Sequence, residues 1–273
     1  MQTTIIEPSL NSIPETMLWT LYNRASEASN KSDLISDPKA VEIYQSLTYD
    51  FSQKFGKSDA SHAVRSLFFD QHLNEFIKSN PYGTVVNLGE GLETQRFRID
   101  NQQTLWLSID VSEAIRIREQ FIQPDDQHKH IALSALDRQW FDLVPKEQPV
   151  FITAQGLFMY FNEDEVKSLI QDIANTFKSG YLMFDTIPTW FSNKTCSGEG
   201  WKKTAYYTVP PMPWGVNRND IEELVEQWLP TIKEIETTTF PNFYTGIKKQ
   251  LISLLLSIPK IKNLYPTIVK ISL

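Results

Sequence analysis

Cysteine is almost missing from this 273-residue chain, with Cys196 its single example. One thiol closes no intramolecular disulfide and builds no cysteine-rich zinc site. Histidine is scarce as well: His62, His72, His128 and His130 are the four present. Of these, only His128 and His130 lie close together, and adjacent histidines on an extended segment rarely hold a metal by themselves. They read as solvated loop residues, and no metal is expected. Positive charge is not in excess either. Lys and Arg number 26 against 33 Asp and Glu, a formal net charge of −7. The chain therefore lacks the field that draws proteins to a polyanion, and no nucleic-acid partner is expected. No stretch approaches the roughly 18 consecutive apolar residues of a transmembrane helix. The opening residues have neither the basic start nor the apolar run of a signal peptide. A cytoplasmic protein without a membrane role is the expectation.

What is present suits a globular fold. Hydrophobic residues make up 41% and charged residues 22% of the chain, ordinary values for a protein with a sizeable core. The length allows one large domain or a domain with an added cap. The first third reads as helices. Residues 13–29 carry Met17, Leu18, Leu21 and Tyr22 at helical spacing. Asp37-Pro38 opens a second helix as N-cap and first-turn proline. Residues 61–79 form a third, with Val64, Leu67, Phe68, Leu73, Phe76 and Ile77 as its stripe. Asn80-Pro81-Tyr82-Gly83 then breaks the chain. We expect an N-terminal helical cap over residues 1–82 and a core over residues 83–273.

Beyond the break, strands alternate with helices. Short β-branched or apolar runs at 84–88, 105–109, 130–133, 150–154 and 181–184 read as strands. A helix follows Ser112, and another follows Asn162 with the acidic first turn Glu163-Asp164-Glu165. This alternation implies a parallel α/β sheet of βαβ units with helices on both faces. The tail reads helix, strand, helix, strand over 219–273 and is placed to extend that sheet. Residues 188–216, rich in Trp, Tyr and Pro, fit no regular period and read as an aromatic lid insertion.

The chemistry-bearing signal lies after the first strand. Gly89 and Gly91 follow it directly, where a βα turn needs small residues for close backbone approach to a ligand. Asp110 ends the next strand about twenty residues later, where a carboxylate can accept ribose hydroxyl protons. A nicotinamide dinucleotide would also suit this pattern. However, Thr94 stands where the dinucleotide fingerprint wants a third glycine or alanine. Glu90 and Glu93 also place negative charge where a pyrophosphate would rest, whereas S-adenosylmethionine carries a sulfonium cation and no phosphate.

Residues 85–96, Val-Val-Asn-Leu-Gly-Glu-Gly-Leu-Glu-Thr-Gln-Arg, resemble the signature of the leucine carboxyl methyltransferase family, which includes polyketide O-methyltransferases of the tetracenomycin type. Leu18 to Ala25 and Asp37 to Ala40 resemble that family's N-terminal helices, and Trp106 to Asp110 its second strand. Ala154 to Tyr160 resembles its segment after strand four. Pro210 to Trp214 resembles the lid motif of a bacterial subgroup. The resemblance implies a Rossmann-like class I fold and S-adenosyl-L-methionine as cofactor. It further implies that Arg65 pairs with the methionine carboxylate, that Gly89, Glu90 and Gly91 line the methionine moiety, and that Asp110 binds the ribose. Ser134, Ala135 and Leu136 would lie beside the adenine. Two positions depart from the family: Ser134 stands where many members have aspartate, and Gln155, beside the cofactor, where better-known members have glutamate.

The expected reaction is O-methylation of a small-molecule carboxylate or phenol, in a setting resembling polyketide metabolism. Tyr160 and Trp214 are expected in the acceptor pocket, with Asp185 beside them as a proton acceptor or a turn cap. His62 and His72, flanking Arg65, are expected at the surface. Two other functions stay open at this point: a non-catalytic protein on the same fold, and an NAD(P)-dependent oxidoreductase. Residues 246–273 contain five lysines and no acidic residue. Their apolar positions are read as a packed helix and a last strand rather than a membrane-surface element.

Overall fold

The computed structural model of the chain describes residues 12–30, 34–99, 101, 103–244 and 246–273. Its N-terminal part is helical: α1 (Thr16–Ser29), α2 (Pro38–Ser46), the short α3 (Phe51–Phe55) and α4 (Ser61–Ser79). The Asp37 carboxylate caps α2 by accepting from the Ala40 amide at 3.0 Å, with Pro38 in the first turn. Asp50 does the same for α3, accepting from the Gln53 amide at 2.9 Å.

Then β1 (Thr84–Leu88), α5 (Gln95–Arg98), β2 (Leu105–Asp110), α6 (Ser112–Arg118), β3 (His128–Ala132) and β4 (Val150–Ala154) alternate as expected. They are followed by α7 (Glu163–Thr176), β5 (Gly180–Thr186), α8 (Thr189–Cys196), and the small hairpin β6 (Trp201–Lys202) and β7 (Thr208–Val209). The chain continues through α9 (Arg218–Trp228), β8 (Ile235–Thr239), α10 (Gly246–Leu256), α11 (Pro259–Asn263) and β9 (Thr267–Ser272). A full capping box opens α7, with Asn162 accepting from Glu165 and the Glu165 side chain accepting from the Asn162 amide.

The main sheet has seven strands in the order β3-β2-β1-β4-β5-β9-β8. The first five are mutually parallel, and β9 pairs antiparallel with both β5 and β8. The expected extension by two tail strands is what the structure shows. Because side chains alternate across a strand, each strand serves two faces. Val85, Trp106, Phe151, Met183 and Ile268 face α4, whose Phe69, Leu73 and Phe76 pack on them. On the other face, Val86, Leu107, Ile152, Leu182 and Val269 meet α7 through Leu169 and Ile173, and α9 through Ile221 and Val225. The helices α1 to α3 share a third cluster with the region after β5, where Leu18, Phe51 and Phe55 join Ile187, Tyr207 and Met212.

Four expectations are corrected. The third strand starts at His128, two residues earlier than its apolar run suggested, and ends one residue earlier at Ala132, because its first half pairs with Trp106 and Ser108 of β2. The segment 188–216 is partly regular, with α8 and the β6–β7 hairpin too short to produce a period. The residues of α5 and α11 were likewise too few to read as helices. The apolar residues of α10 pack only in part: Ile252, Leu255 and Leu256 are half-buried, Ile247, Leu251 and Leu254 are exposed, and the helix has no fully buried residue. Among the described residues, no helix is long and apolar enough to cross a membrane.

Candidate functional site

The strand order reverses between β1 and β4, and ligands of open α/β sheets sit beyond the strand ends at such a point. Beyond β1 the chain turns through Gly89 at φ +65° and Gly91 at φ +52°. A Cβ on Gly89 would stand 2.7 Å from Leu157 Cδ1, and one on Gly91 2.7 Å from Met17 Cβ, so neither position admits a side chain. The Gly91 amide donates to Asp110 Oδ2 at 2.7 Å, and the Val111 amide to Asp110 Oδ1 at 2.7 Å. Asp110 is thereby tied to the glycine turn. Its burial outweighs these bonds and the nearby Arg118, raising its pKa from the ordinary 3.8 to about 6.

The two glutamates of the turn point inward. Glu90 accepts from Asn87 Nδ2 at 2.9 Å, and its other oxygen lies 3.2 Å from Arg118 Nη2. Arg118 also donates to the carbonyls of Gly91 at 2.9 Å and Glu93 at 2.8 Å. Glu93 lies 3.2 Å from Arg24 and 2.8 Å from Arg98. Arg98 in turn pairs with Asp37 and Asp70, each at 2.7 Å. These guanidinium groups hold the Glu93 carboxyl well below its usual range despite burial. The sequence argument that these acids repel a phosphate is therefore corrected: both charges are neutralised inside the protein.

His128 and His130 are also corrected. They stand on β3, not in a loop, and His128 Nε2 lies 2.8 Å from Ser108 Oγ. Burial, and then the Arg118 cation, lower His128 to about 3 and His130 to about 4. The Nε2 atoms of both rings are engaged, His128 with Ser108 and His130 by accepting from Arg118 Nε at 3.2 Å. Among the described residues no group of three His, Cys, Asp or Glu side chains is placed to hold a metal.

Across the switch point, Gln155 and Gly156 follow β4, and Asp185 lies in β5. Arg65, from α4, donates through Nη1 to Asp185 Oδ2 at 3.1 Å. The other Asp185 oxygen accepts from the Gly156 amide. Gly156 has φ +63°, and a Cβ there would stand 2.7 Å from Arg65 Nη1. Arg65 Nε and Gln155 Oε1 are both buried and lack a hydrogen-bond partner among the described residues. An unsatisfied buried polar atom costs about 1–3 kcal/mol, so the two are suited to ligand atoms. Tyr160 shares a hydrogen bond with Thr16, and burial pushes its phenol up to about 12.

The remaining expected residues are more dispersed. Ser134 is exposed and turned into its own loop, its Oγ accepting from the Leu136 amide at 3.2 Å. Ala135 is buried, and its carbonyl accepts from Trp140 Nε1 at 3.1 Å. Trp214 is buried in the core, packed with Phe158, Phe184 and Trp228. Asp185 is not a free base but an ion-pair partner that also caps the turn at Gly156. His62 is only partly exposed, with Nδ1 2.9 Å from Asn23 Nδ2 and its ring edge-on to Trp19. Burial, with Arg65 and Arg24 nearby, keeps it well below its usual pKa. His72, half-buried, rests on Phe68. Sequence reasoning missed Arg118, Arg24 and Arg98, which no local pattern marks. It also passed over Gly156, although a glycine directly after a strand was a usable sign.

A seven-stranded sheet with one antiparallel strand, β9, inserted between β5 and the end strand β8, and with a glycine turn and an acid beyond β1 and β2, defines a class I methyltransferase fold. The chain belongs to the leucine carboxyl methyltransferase family, whose pattern matches residues 18–174. Its cofactor is S-adenosylmethionine, and it is a methyltransferase. The tetracenomycin polyketide synthesis O-methyltransferase TcmP of Streptomyces glaucescens is 27% identical over 80% of this chain and 83% of its own. The S-adenosyl-L-methionine-dependent methyltransferase dpfgK of Gibberella zeae is 27% identical over 65% of this chain and 67% of its own. The plantazolicin methyltransferase BamL, solved with a triazolic desmethylPZN analogue and SAH, superposes with a TM-score of 0.50 at 12% identity. That superposition covers 96% of this chain and 99% of BamL, a likeness of fold alone.

Proposed function

We propose that the chain methylates an oxygen of a small apolar molecule, with a carboxylate as the acceptor group. The Gly89–Gly91 turn would let backbone approach the methionine part of the cofactor. Arg65, with its free Nε, would bind the methionine carboxylate, and Gln155 Oε1 would accept from a cofactor N–H. Asp110 would bind the ribose, and Ser134 to Leu136 would flank the adenine. S-adenosylmethionine supplies an electrophilic methyl on a sulfonium, open to in-line displacement once an acceptor oxygen is aligned with it.

The observation that carries the carboxylate reading is the state of the titratable groups around Arg65. Tyr160 is held protonated by burial, Asp185 is paired with Arg65, and His62 is held weakly basic. A phenol acceptor must lose its proton to a neighbour. A carboxylate arrives ionised and needs no base. Trp19, Phe55 and Tyr207, stacked between the N-terminal helices and the hairpin region, supply an apolar wall suited to the rest of the acceptor. The kinship with TcmP supports oxygen as the atom methylated.

The test is methyl transfer from labelled S-adenosylmethionine across matched panels of apolar carboxylic acids and phenols. Base-labile methyl esters are the expected product. Base-stable ethers alone, or no product on any oxygen acceptor with the cofactor shown to bind, would overturn the reading.

A further inference from the structure

The apolar residues near the C-terminal end of the chain leave a surface that the fold does not use. On α10, Ile247, Leu251 and Leu254 fall on one face at helical spacing. The following turn and α11 add Ile258, Ile261 and Leu264. All six are between 36% and 84% exposed. An apolar set of this size is uncommon on a protein surface without a partner. The charged side chains of this segment have one sign. Lys248, Lys249 and Lys260 are exposed, Lys262 is partly so, and residues 246–273 hold no carboxylate, although the whole chain carries −7.

A second feature lies against the same helices. A cleft of about 480 Å³ between β8 and the α10–α11 pair is lined by Arg218, Lys262, Asn242, Ser253 and Ser257. Arg218 Nε and Thr239 Oγ1 are buried there without hydrogen-bond partners among the described residues. The exposed Trp190 of α8 donates through Nε1 to the Leu264 carbonyl at 2.9 Å, which places an aromatic ring at the end of the apolar set.

We propose that α10 and α11 form an interfacial element that docks the protein on an anionic lipid bilayer. The exposed leucines and isoleucines enter the acyl boundary, the lysines meet the anionic headgroups, and the Arg218–Lys262 cleft takes a headgroup phosphate. Trp190 has the amphipathic ring favoured at the headgroup level. Apolar burial together with basic charge is what interfacial helices require. A second copy of the chain fits this face less well, since pairing two such faces brings lysines against lysines. The acidic remainder of the chain is repelled by the same bilayer, so docking is oriented with this face down.

The test is flotation of the full chain with phosphatidylcholine vesicles, with and without phosphatidylglycerol. The chain is expected to float with the anionic vesicles only, and less at high salt. Leu251→Asp/Leu254→Asp should abolish flotation while leaving the melting temperature and S-adenosylmethionine affinity unchanged. Lys248→Glu/Lys249→Glu, at fully exposed positions, should weaken vesicle binding by about tenfold or more. Absence of wild-type flotation, or flotation unchanged in the lysine variant, would overturn the proposal. So would a solution dimer by light scattering that the leucine variant converts to monomer, since the face would then belong to a second copy.

Discussion

Arg65 and Asp185 stand 120 positions apart in the chain and meet at 3.1 Å across the ends of α4 and β5. The carboxylate also accepts from the Gly156 amide, so one acid positions both the guanidinium and the turn after β4. Among the described residues Arg65 Nε has no partner. In the proposed site this guanidinium, held from one side by Asp185, would take a carboxylate ligand on the other.

Arg65→Met is therefore expected to weaken S-adenosylmethionine binding by about 1.5–3 kcal/mol, the usual worth of a charged hydrogen bond. Methylthioadenosine, which lacks the amino-acid carboxylate, should lose little. Calorimetric titration of both ligands checks this, and equal losses would remove Arg65 from the carboxylate site.

Gly156→Ala tests the same arrangement through the backbone. The substitution forces a Cβ into φ +63° and to 2.7 Å from Arg65 Nη1. A strain of about 1–3 kcal/mol is expected, together with a cofactor affinity reduced toward that of Arg65→Met. A thermal melt and a titration on the same sample report the two effects separately.

Asp110 should give cofactor binding a pH dependence. Its pKa rises from 3.8 to about 6 on folding, mainly through burial. A raised value means the folded chain holds this proton more tightly than the unfolded one. That contribution to stability is complete below 3.8, and it is lost as pH rises through about 6. Ribose hydroxyls need the ionised form as acceptor, so S-adenosylmethionine affinity should fall as pH drops below about 6. In Asp110→Asn the affinity should be low and its pH dependence flat. Dissociation constants measured across this range decide the matter.

Arg118→Met should be strongly destabilising, since it leaves Glu90 buried opposite an apolar side chain. Breaking one side of a buried pair costs about 3–5 kcal/mol. Adding Glu90→Gln should recover part of that loss. Urea unfolding of the single and double variants measures the coupling, and strict additivity would mean that the pair is not coupled.

Much of the fold could be read along the chain because its signals are local. The β1 and β4 strands are β-branched runs closed by glycine turns. The second half of α4 buries Leu73, Phe76 and Ile77 as its period implied, whereas its first half buries Ala63, Ser66 and Phe69 rather than Val64, Leu67 and Phe68. Where the reading failed, the local signal was weak or shared by two outcomes. His128 and His130 look like solvated residues in any short window. Only their place on β3, against Arg118, makes them buried and neutral. Trp214 sits in an aromatic segment that suits a pocket wall and a core equally, and packing against Phe158 and Trp228 put it in the core. The glycine turn and Asp110 were legible because spacing after a strand is a local property.

By itself the sequence determined the alternation of strands and helices, the glycine turn with its acid at the end of the next strand, and the family. Those properties rest on backbone preference and side-chain period, which each segment carries within itself. Tertiary structure alone decided which charges meet. Glu90 and Glu93 became buried ion-pair partners rather than a repulsive rim, Asp185 became the partner of Arg65, and the apolar face of α10 was left in solvent. Each of those outcomes depends on surfaces contributed by distant parts of the chain. The cost of burying a charge or exposing a leucine is settled only when those surfaces come together.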